Sequence, residues 1–150
     1  MDIILWRHAD AVDSYPDMDR MLTEKGLKQA ARMADFLRPR LPQSTHILVS
    51  PARRAQQTAQ AFNLEYETET AIAPNCTVEK VLETVNWPHG TGCYLLVGHQ
   101  PVWGEVASRL LCGGDQGFSF KKGAVWWLTG AGNAGQARAS LRLVVAPDIL

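Results

Sequence analysis

The chain has 150 residues, a length that suits one compact domain over residues 1–150. Its 15 basic side chains are balanced by 15 acidic ones, which argues against nucleic acid or an anionic membrane as a partner. Three well-separated cysteines argue against a disulfide framework and a thiolate zinc site, and they favour a reducing, cytoplasmic location. No apolar stretch reaches the roughly 18 residues of a membrane span, and the start of the chain lacks the basic region of a signal peptide, so an unexported protein is expected.

The first apolar run, Ile3–Trp6, predicts a central β-strand. The run is continuous rather than alternating, which is typical of a strand covered on both faces. After a polar loop, Thr23 is placed to cap a helix that ends before Pro39. The positions expected to form the buried face of that helix recur every three or four residues and are Leu27, Ala30, Ala31, Ala34 and Leu37.

A second strand and helix follow in the same order. His46–Val49 predicts a buried strand, and Ser50 and Pro51 are a favourable N-cap and first residue for a helix that runs through Phe62. The expected buried face of this helix is Ala52, Ala55, Ala59 and Phe62. The remaining predicted elements are a short strand at Leu64–Thr68, a helix at Val78–Val85, a strand at Tyr94–Val97, a helix that Pro101 opens and Gly113-Gly114 ends, and strands at Ala124–Leu128 and Leu141–Val145 with a turn at Thr129–Gly135 between them.

Repeated strand–helix units predict a three-layer α/β fold, with a mostly parallel sheet and helices on both faces. In such sheets, ligands bind beyond the carboxyl ends of the strands. His8 follows the first strand, Arg54 lies in the first helical turn after the second, and His99 follows the Tyr94–Val97 strand. We therefore expect these side chains to face one crevice.

Paired histidines and arginines favour phosphoryl chemistry. An imidazole accepts a phosphoryl group on a ring nitrogen, and arginines hold the phosphate oxygens in a bidentate fork, so no metal is needed. A phosphoryl group carries about −1.5 to −2 charge, and its site needs two or three fixed cations. The candidates for those cations are Arg7, Arg20, Arg54 and His99. Nearby arginines would also keep His8 neutral and able to attack phosphorus.

Four motifs follow one another along the chain: Arg7-His8-Ala9-x-Ala11, Asp17-x-x-Arg20-x-Leu22-Thr23-x-x-Gly26, Ser50-Pro51-x-x-Arg54-Ala55-x-Gln57-Thr58 and Val97-Gly98-His99-x-Pro101. Together they resemble the motifs of the histidine phosphatase superfamily, whose fold is phosphoglycerate mutase-like. The commonest form of the first motif in the superfamily is Arg-His-Gly, so Ala9 stands where glycine is usual. In its short length, and in its lack of a large insertion after the helix that carries Thr58, the chain resembles members of the SixA-type phosphohistidine phosphatase branch.

The resemblance implies a metal-independent phosphatase without a cofactor that acts on phosphohistidine in a protein. His8 is implied as the nucleophile that forms a phosphohistidine intermediate, and Arg7, Arg20 and Arg54 as phosphate ligands. His99 is implied as a fourth, protonated ligand. Water would then hydrolyse the intermediate.

Two other functions are compatible with the sequence. A phosphomonoesterase for a small phosphorylated metabolite would need an acid to protonate the departing oxygen, and Glu79 and Glu83 are positional candidates. A phosphate or phosphoprotein binding module would retain its ligand without turnover. The pair Lys121-Lys122 is compatible with attraction of an acidic partner, although such a pair is more often a solvated turn.

Overall fold

Four neighbouring strands of the central sheet run parallel, and two antiparallel strands complete it at one edge. The structure, a computed structural model, describes residues 1–114, 116–130 and 138–150. The described strands are β1 (Asp2–Arg7), β2 (His46–Val49), β3 (Glu67–Thr68), β4 (Cys93–Gly98), β5 (Val125–Gly130) and β6 (Ala139–Val145), in the spatial order β3-β2-β4-β1-β5-β6. Among the described strands, β5 pairs antiparallel with both β1 and β6, and the other neighbouring pairs are parallel. The mostly parallel sheet predicted from the sequence is confirmed.

Helices cover both faces of this sheet. They are α1 (Glu24–Leu37), α2 (Arg53–Gln60), α3 (Val78–Thr84) and α4 (Val102–Cys112). Successive side chains of β1 alternate between the faces: Ile4 and Trp6 pack in the layer of α1 and α2, whereas Ile3 and Leu5 pack in the layer of α3 and α4. The predicted three-layer α/β fold is therefore confirmed, and the continuous apolar run of β1 is explained by burial on both sides.

Helix α1 begins as predicted but presents a different face to the core. The Thr23 side chain accepts a hydrogen bond from the Gly26 backbone N–H at 3.0 Å and so caps the helix. Its buried residues are Gly26, Ala30, Met33, Ala34 and Leu37, and the expected burial of Leu27 and Ala31 is wrong. A Cβ at Gly26 would clash with the Asp10 carbonyl, so the backbone of α1 packs directly against the backbone of Asp10 at this position. Leu27, about 100° further around the helix, is left 51% exposed.

Helix α2 starts later than the sequence predicts. Its N-cap is Ala52, which makes no side-chain cap, and the helix ends at Gln60. The Ser50 hydroxyl accepts a long hydrogen bond from the Ala52 backbone N–H at 3.3 Å, and its Oγ also lies 2.7 Å from His99 Nε2. Ser50 therefore keeps a local contact at the start of α2 and adds a tertiary contact with a distant residue. The expected burial of Ala52, Ala55, Ala59 and Phe62 is confirmed.

The other elements match their predicted positions with shifted ends. Strand β3 is limited to two residues, and α4 ends at Gly113 in the left-handed conformation with φ of 79°, which favours glycine. Thr129 and Gly130 belong to β5 rather than to the predicted turn, whose remaining residues 131–135 lie outside the described residues. In the part of the chain that the structure describes, no helix is long and apolar enough to span a bilayer.

Candidate active site

The parallel strands bring the predicted residues to one edge of the sheet. Strand β4 lies between β2 and β1, so the residues after these three strands become neighbours. Arg7 pairs with Gly98 across β1 and β4, which places His8 and His99 side by side with 5.3 Å between ring centroids.

All five side chains predicted to bind or attack phosphate line one pocket of about 270 Å³. They are Arg7, His8, Arg20, Arg54 and His99. The other residues that line it are Ala11, Asp17, Pro74, Asn75, Gln100 and Lys122. The pocket is therefore rich in charged and hydrogen-bonding groups and poor in apolar surface.

The hydrogen bonds of His8 fix which ring nitrogen is available. Nδ1 lies 2.8 Å from the backbone oxygen of Ala9, and because a carbonyl only accepts, Nδ1 carries the proton and donates. Arg54 Nε donates to the other ring nitrogen, Nε2, at 3.3 Å. Nε2 of the neutral imidazole therefore has its lone pair inside the cationic pocket.

Burial and charge both keep His8 neutral. Burial is the largest cause that lowers its pKa, the bond to the Ala9 carbonyl opposes the shift, and Arg54, Arg7 and Arg20 lower the pKa further, to about 4. At neutral pH the imidazole is unprotonated. The arginines that would bind an anion thus also preserve the lone pair of His8.

The low pKa of His8 predicts acid sensitivity of folding. Between about pH 6.5, the ordinary pKa of histidine, and about pH 4, the unfolded chain binds a proton at this imidazole that the folded chain does not. The free energy of unfolding therefore decreases as the pH is lowered, and His8 alone contributes a loss of roughly 2 kcal/mol between pH 7 and pH 5. Urea unfolding at both pH values measures this loss. His8→Asn, which has no imidazole to protonate, is expected to lose roughly 2 kcal/mol less, and an equal loss in both proteins would contradict the low pKa.

Arg54 is the most tightly held cation of the pocket. It is 4% exposed and bonds His8 through Nε. Its Nη1 donates to the Asp17 backbone oxygen at 2.8 Å, and its Nη2 donates to the Asp17 carboxylate at 3.2 Å. The buried Thr58 hydroxyl donates to the Arg54 carbonyl at 2.7 Å and accepts from the Ala9 N–H at 3.0 Å. Thr58 therefore ties the first turn of α2 to the backbone beside His8.

Arg7 and Arg20 also line the pocket, and each donates to a backbone oxygen. Arg7 Nη1 donates to the Phe120 backbone oxygen at 2.6 Å. Arg20 Nε donates to the Val12 oxygen at 2.8 Å, and its Nη1 lies 3.3 Å from Asp17 Oδ1. The backbone oxygens orient both guanidinium groups without neutralising them.

The structure does not support a protonated His99 in the free protein. Burial lowers its pKa to about 3, with further lowering from His8 and Arg54. Its Nε2 is 2.7 Å from the Ser50 hydroxyl, and its Nδ1 is buried without a hydrogen-bond partner. Arg7 Nε is the only other such buried side-chain atom in the described residues. Both unsatisfied nitrogens belong to this pocket, so a bound anion would supply partners for them.

The predicted acid candidates lie away from the pocket. Glu79 and Glu83 are exposed on α3 and do not line it, and Glu79 accepts a hydrogen bond from Arg109 at 2.8 Å. Asp17 is the one carboxylate among the described lining residues. Burial raises the pKa of this carboxyl, but Arg54 and Arg20 together hold it below its usual value, so Asp17 is charged at neutral pH.

Sequence reasoning assigned no site role to Asp17, Ser50 or Thr58. Each belongs to one of the quoted motifs, and each contacts a predicted site residue directly. The spacing inside the third motif was a usable signal for Thr58, because Thr58 lies one helical turn after Arg54 and its side chain faces the same way. The contact of Ser50 with His99 depends on neighbouring strands and carries no local signal.

Comparison with known proteins places these residues in a family. The model of the histidine phosphatase superfamily (branch 1) matches residues 3–77, which include the first three motifs. The chain is 27% identical over 135 residues to the phosphohistidine phosphatase SixA of Escherichia coli strain K12, with 83% of each chain covered. It is 35% identical over 127 residues to the SixA homologue of Haemophilus influenzae, covering 73% of this chain and 77% of that one.

A solved structure extends the likeness to the whole fold. The protein histidine phosphatase SixA complexed with tungstate matches with a TM-score of 0.82 at 25% identity, and 99% of both chains is covered. The likeness thus includes the fourth motif and the last strands, beyond the residues that the family model matches. This chain belongs to the histidine phosphatase superfamily, branch 1, as its four motifs predicted.

Proposed function

We propose that residues 1–150 act as one domain that hydrolyses phosphohistidine on a protein, through a phosphohistidine intermediate on His8. The observation that carries the proposal is the neutral His8 imidazole, whose Nε2 lone pair lies among three arginines. That arrangement unites a nucleophile with an oxyanion site. The three cysteines are unpaired, which supports a reducing cytoplasm as the location.

Arg7, Arg20, Arg54 and His99 are proposed to bind the phosphoryl group. The unsatisfied Arg7 Nε and His99 Nδ1 would donate to its oxygens. Arg20 and Arg54 would exchange their bonds with Asp17 for bonds to the phosphoryl group, whose charge exceeds that of one carboxylate. The same cations would stabilise charge on the equatorial oxygens in the transition state.

The reaction is proposed to take two displacement steps. In the first, the Arg54 Nε–H releases His8 Nε2, whose lone pair forms a bond to phosphorus while the bond from phosphorus to the substrate imidazole breaks. The departing imidazole nitrogen takes that electron pair and a proton from solvent. In the second, a water oxygen bonds to phosphorus, the bond to His8 breaks, and Nε2 regains its lone pair as the water's protons pass to phosphate and solvent. His8 returns to its starting state.

Among the described residues that line the pocket, none is an available acid, which favours a nitrogen leaving group. Asp17 is ionised and paired with two arginines, so it is a poor proton donor. A protonated imidazole departs readily, whereas the alkoxide of a phosphate ester needs a strong dedicated acid. Ala11 and Pro74 are the only apolar side chains among the described lining residues, which leaves little surface to hold the body of a metabolite.

The relatives support the same substrate. The Escherichia coli protein is named a phosphohistidine phosphatase, and the structural neighbour is a protein histidine phosphatase complexed with tungstate. Tungstate is an oxyanion of the shape and charge of phosphate. We infer that the cationic pocket of this chain binds phosphate in the corresponding way.

The proposal is tested by phosphate release from two substrates, a protein phosphorylated on histidine and an aryl phosphate ester. Rapid turnover of the first with poor turnover of the second is the expected result. The reverse preference would favour the small-molecule phosphomonoesterase. Retention of phosphate without turnover of either substrate would favour the binding module.

A further inference from the structure

A second concavity runs from the pocket along α1. It consists of two adjoining cavities of about 240 and 420 Å³, which share Lys25, Gln29, Pro147 and Asp148 as walls. Lys122 lines both the pocket and the nearer of these cavities. We call the two cavities the basic groove, and Lys122 makes it continuous with the site of His8.

The basic groove is cationic although the chain as a whole is neutral. Its lining side chains are Lys25, Lys28, Arg32, Lys121 and Lys122 against the carboxylates Glu24 and Asp148. Lys121 pairs with Asp148 at 3.3 Å and Lys122 with Asp10 at 2.7 Å. Lys25, Lys28 and Arg32 pair with no carboxylate among the residues that the structure describes. Their charge is available to a partner.

Hydrogen bonds fix the basic groove relative to His8. The turn that carries Lys122 is hydrogen-bonded to the end of β1 and to His8. The Gly123 N–H donates to the His8 backbone oxygen at 3.1 Å, and the Arg7 N–H donates to the Ala124 oxygen at 3.0 Å. On the other wall, the Gln29 side-chain oxygen accepts from the Asp10 N–H at 2.9 Å. A partner seated in the groove would therefore stand in a constant position relative to the nucleophile.

The extent of the basic groove exceeds what a single phosphorylated side chain fills. Lys25 and Arg32 are seven residues apart on α1, which corresponds to about 10 Å along the helix axis. Charges spread over such a distance attract an extended acidic surface and speed its association.

We propose that the basic groove docks an acidic surface of the phosphohistidine-bearing protein while its phosphohistidine enters the pocket. This inference rests on the proposed function. It adds a basis for substrate selectivity, because the groove would favour phosphoproteins with an acidic surface near the phosphohistidine. Charge complementarity identifies the partner surface as rich in aspartate or glutamate. Because Lys122 lines both the pocket and the basic groove, one partner can place its phosphohistidine in the pocket and its acidic surface in the groove at the same time.

Two phosphohistidine peptides test the proposal. They are identical except that one carries glutamates three to six residues from the phosphohistidine and the other carries glutamines. The wild-type chain is expected to hydrolyse the glutamate peptide with a kcat/KM about tenfold higher at low salt, and the preference is expected to shrink as salt is raised. The double variant Lys25→Glu, Lys28→Glu should lose that preference and hydrolyse the glutamine peptide at the wild-type rate.

The matched control is Lys80→Glu, an exposed charge reversal on α3 on the opposite face of the sheet, which should retain the preference. Glutamate is a good helix former, so both variants are expected to fold. Equal turnover of the two peptides by the wild type, or an undiminished preference in the double variant, would overturn the docking inference and leave the proposed function intact. Hydrolysis of neither peptide by the wild type would overturn both.

Discussion

Replacing His8 by alanine is expected to lower kcat/KM for a phosphohistidine protein by at least about 10³-fold. The variant lacks the nitrogen that attacks phosphorus, and His99 is the one other imidazole among the described residues that line the pocket. His99 is 5.3 Å away between ring centroids, with Nε2 held by Ser50 and Nδ1 buried. Initial rates of phosphate release at substrate concentrations well below KM measure the loss.

The matched control for this substitution is His89→Ala, which removes an exposed imidazole outside the pocket. It should retain wild-type turnover. Thermal unfolding separates a loss of chemistry from a loss of folding, because a folded His8→Ala protein should still bind inorganic phosphate through its arginines. A His8→Ala variant with wild-type turnover would refute the assignment of the nucleophile.

Replacing Arg54 by alanine is expected to lower kcat/KM about 10²- to 10³-fold, the range for removing one preorganised donor from an oxyanion site. Arg54 is buried, bonds His8 Nε2 and reaches Asp17, so its loss affects both phosphate binding and the position of the imidazole. The inhibition constant of inorganic phosphate should rise in parallel. Arg54→Lys should recover only part of the activity, because an ammonium cannot form a bidentate fork.

The adjacent Arg53→Ala variant is the control for Arg54→Ala. Arg53 begins α2 but is exposed and does not line the pocket. Removing it alters the net charge of the chain equally, yet turnover should stay within about twofold of wild type, as is usual for exposed charges. Similar losses in the two variants would show that overall charge, rather than the directed guanidinium of Arg54, supports the reaction.

The parallel core was predictable because its signals are local. Strands β1 and β4 are covered on both faces, so their sequences are continuous apolar runs, and the site residues follow where those runs end. Since parallel strands share the direction of their carboxyl ends, the order of elements predicted that His8 and His99 would face one crevice, and the pairing of β1 with β4 makes them neighbours. The register of Arg7 with Gly98 then fixed the distance between them.

Features that depend on tertiary contact were not predictable from local pattern. Ser50 had the sequence of an N-cap, and its hydroxyl does accept from the Ala52 N–H, but its second contact, with His99 after the neighbouring strand, had no local signal. Leu27 had the periodicity of a core residue, but the close approach of Gly26 to Asp10 turned it outward. The ionisation of Asp17 and the low pKa of His99 likewise follow from burial and from charges brought together by folding.

Trapping the covalent intermediate would show directly whether the phosphoryl group is transferred to His8. The chain would be mixed rapidly with a radiolabelled phosphohistidine protein, quenched in alkali, in which phosphohistidine is stable, and digested to locate the label. We expect label on His8 that is lost in acid and is absent from the His8→Ala variant. Phosphate release by the wild type without a labelled enzyme, or with the label on another residue, would contradict it.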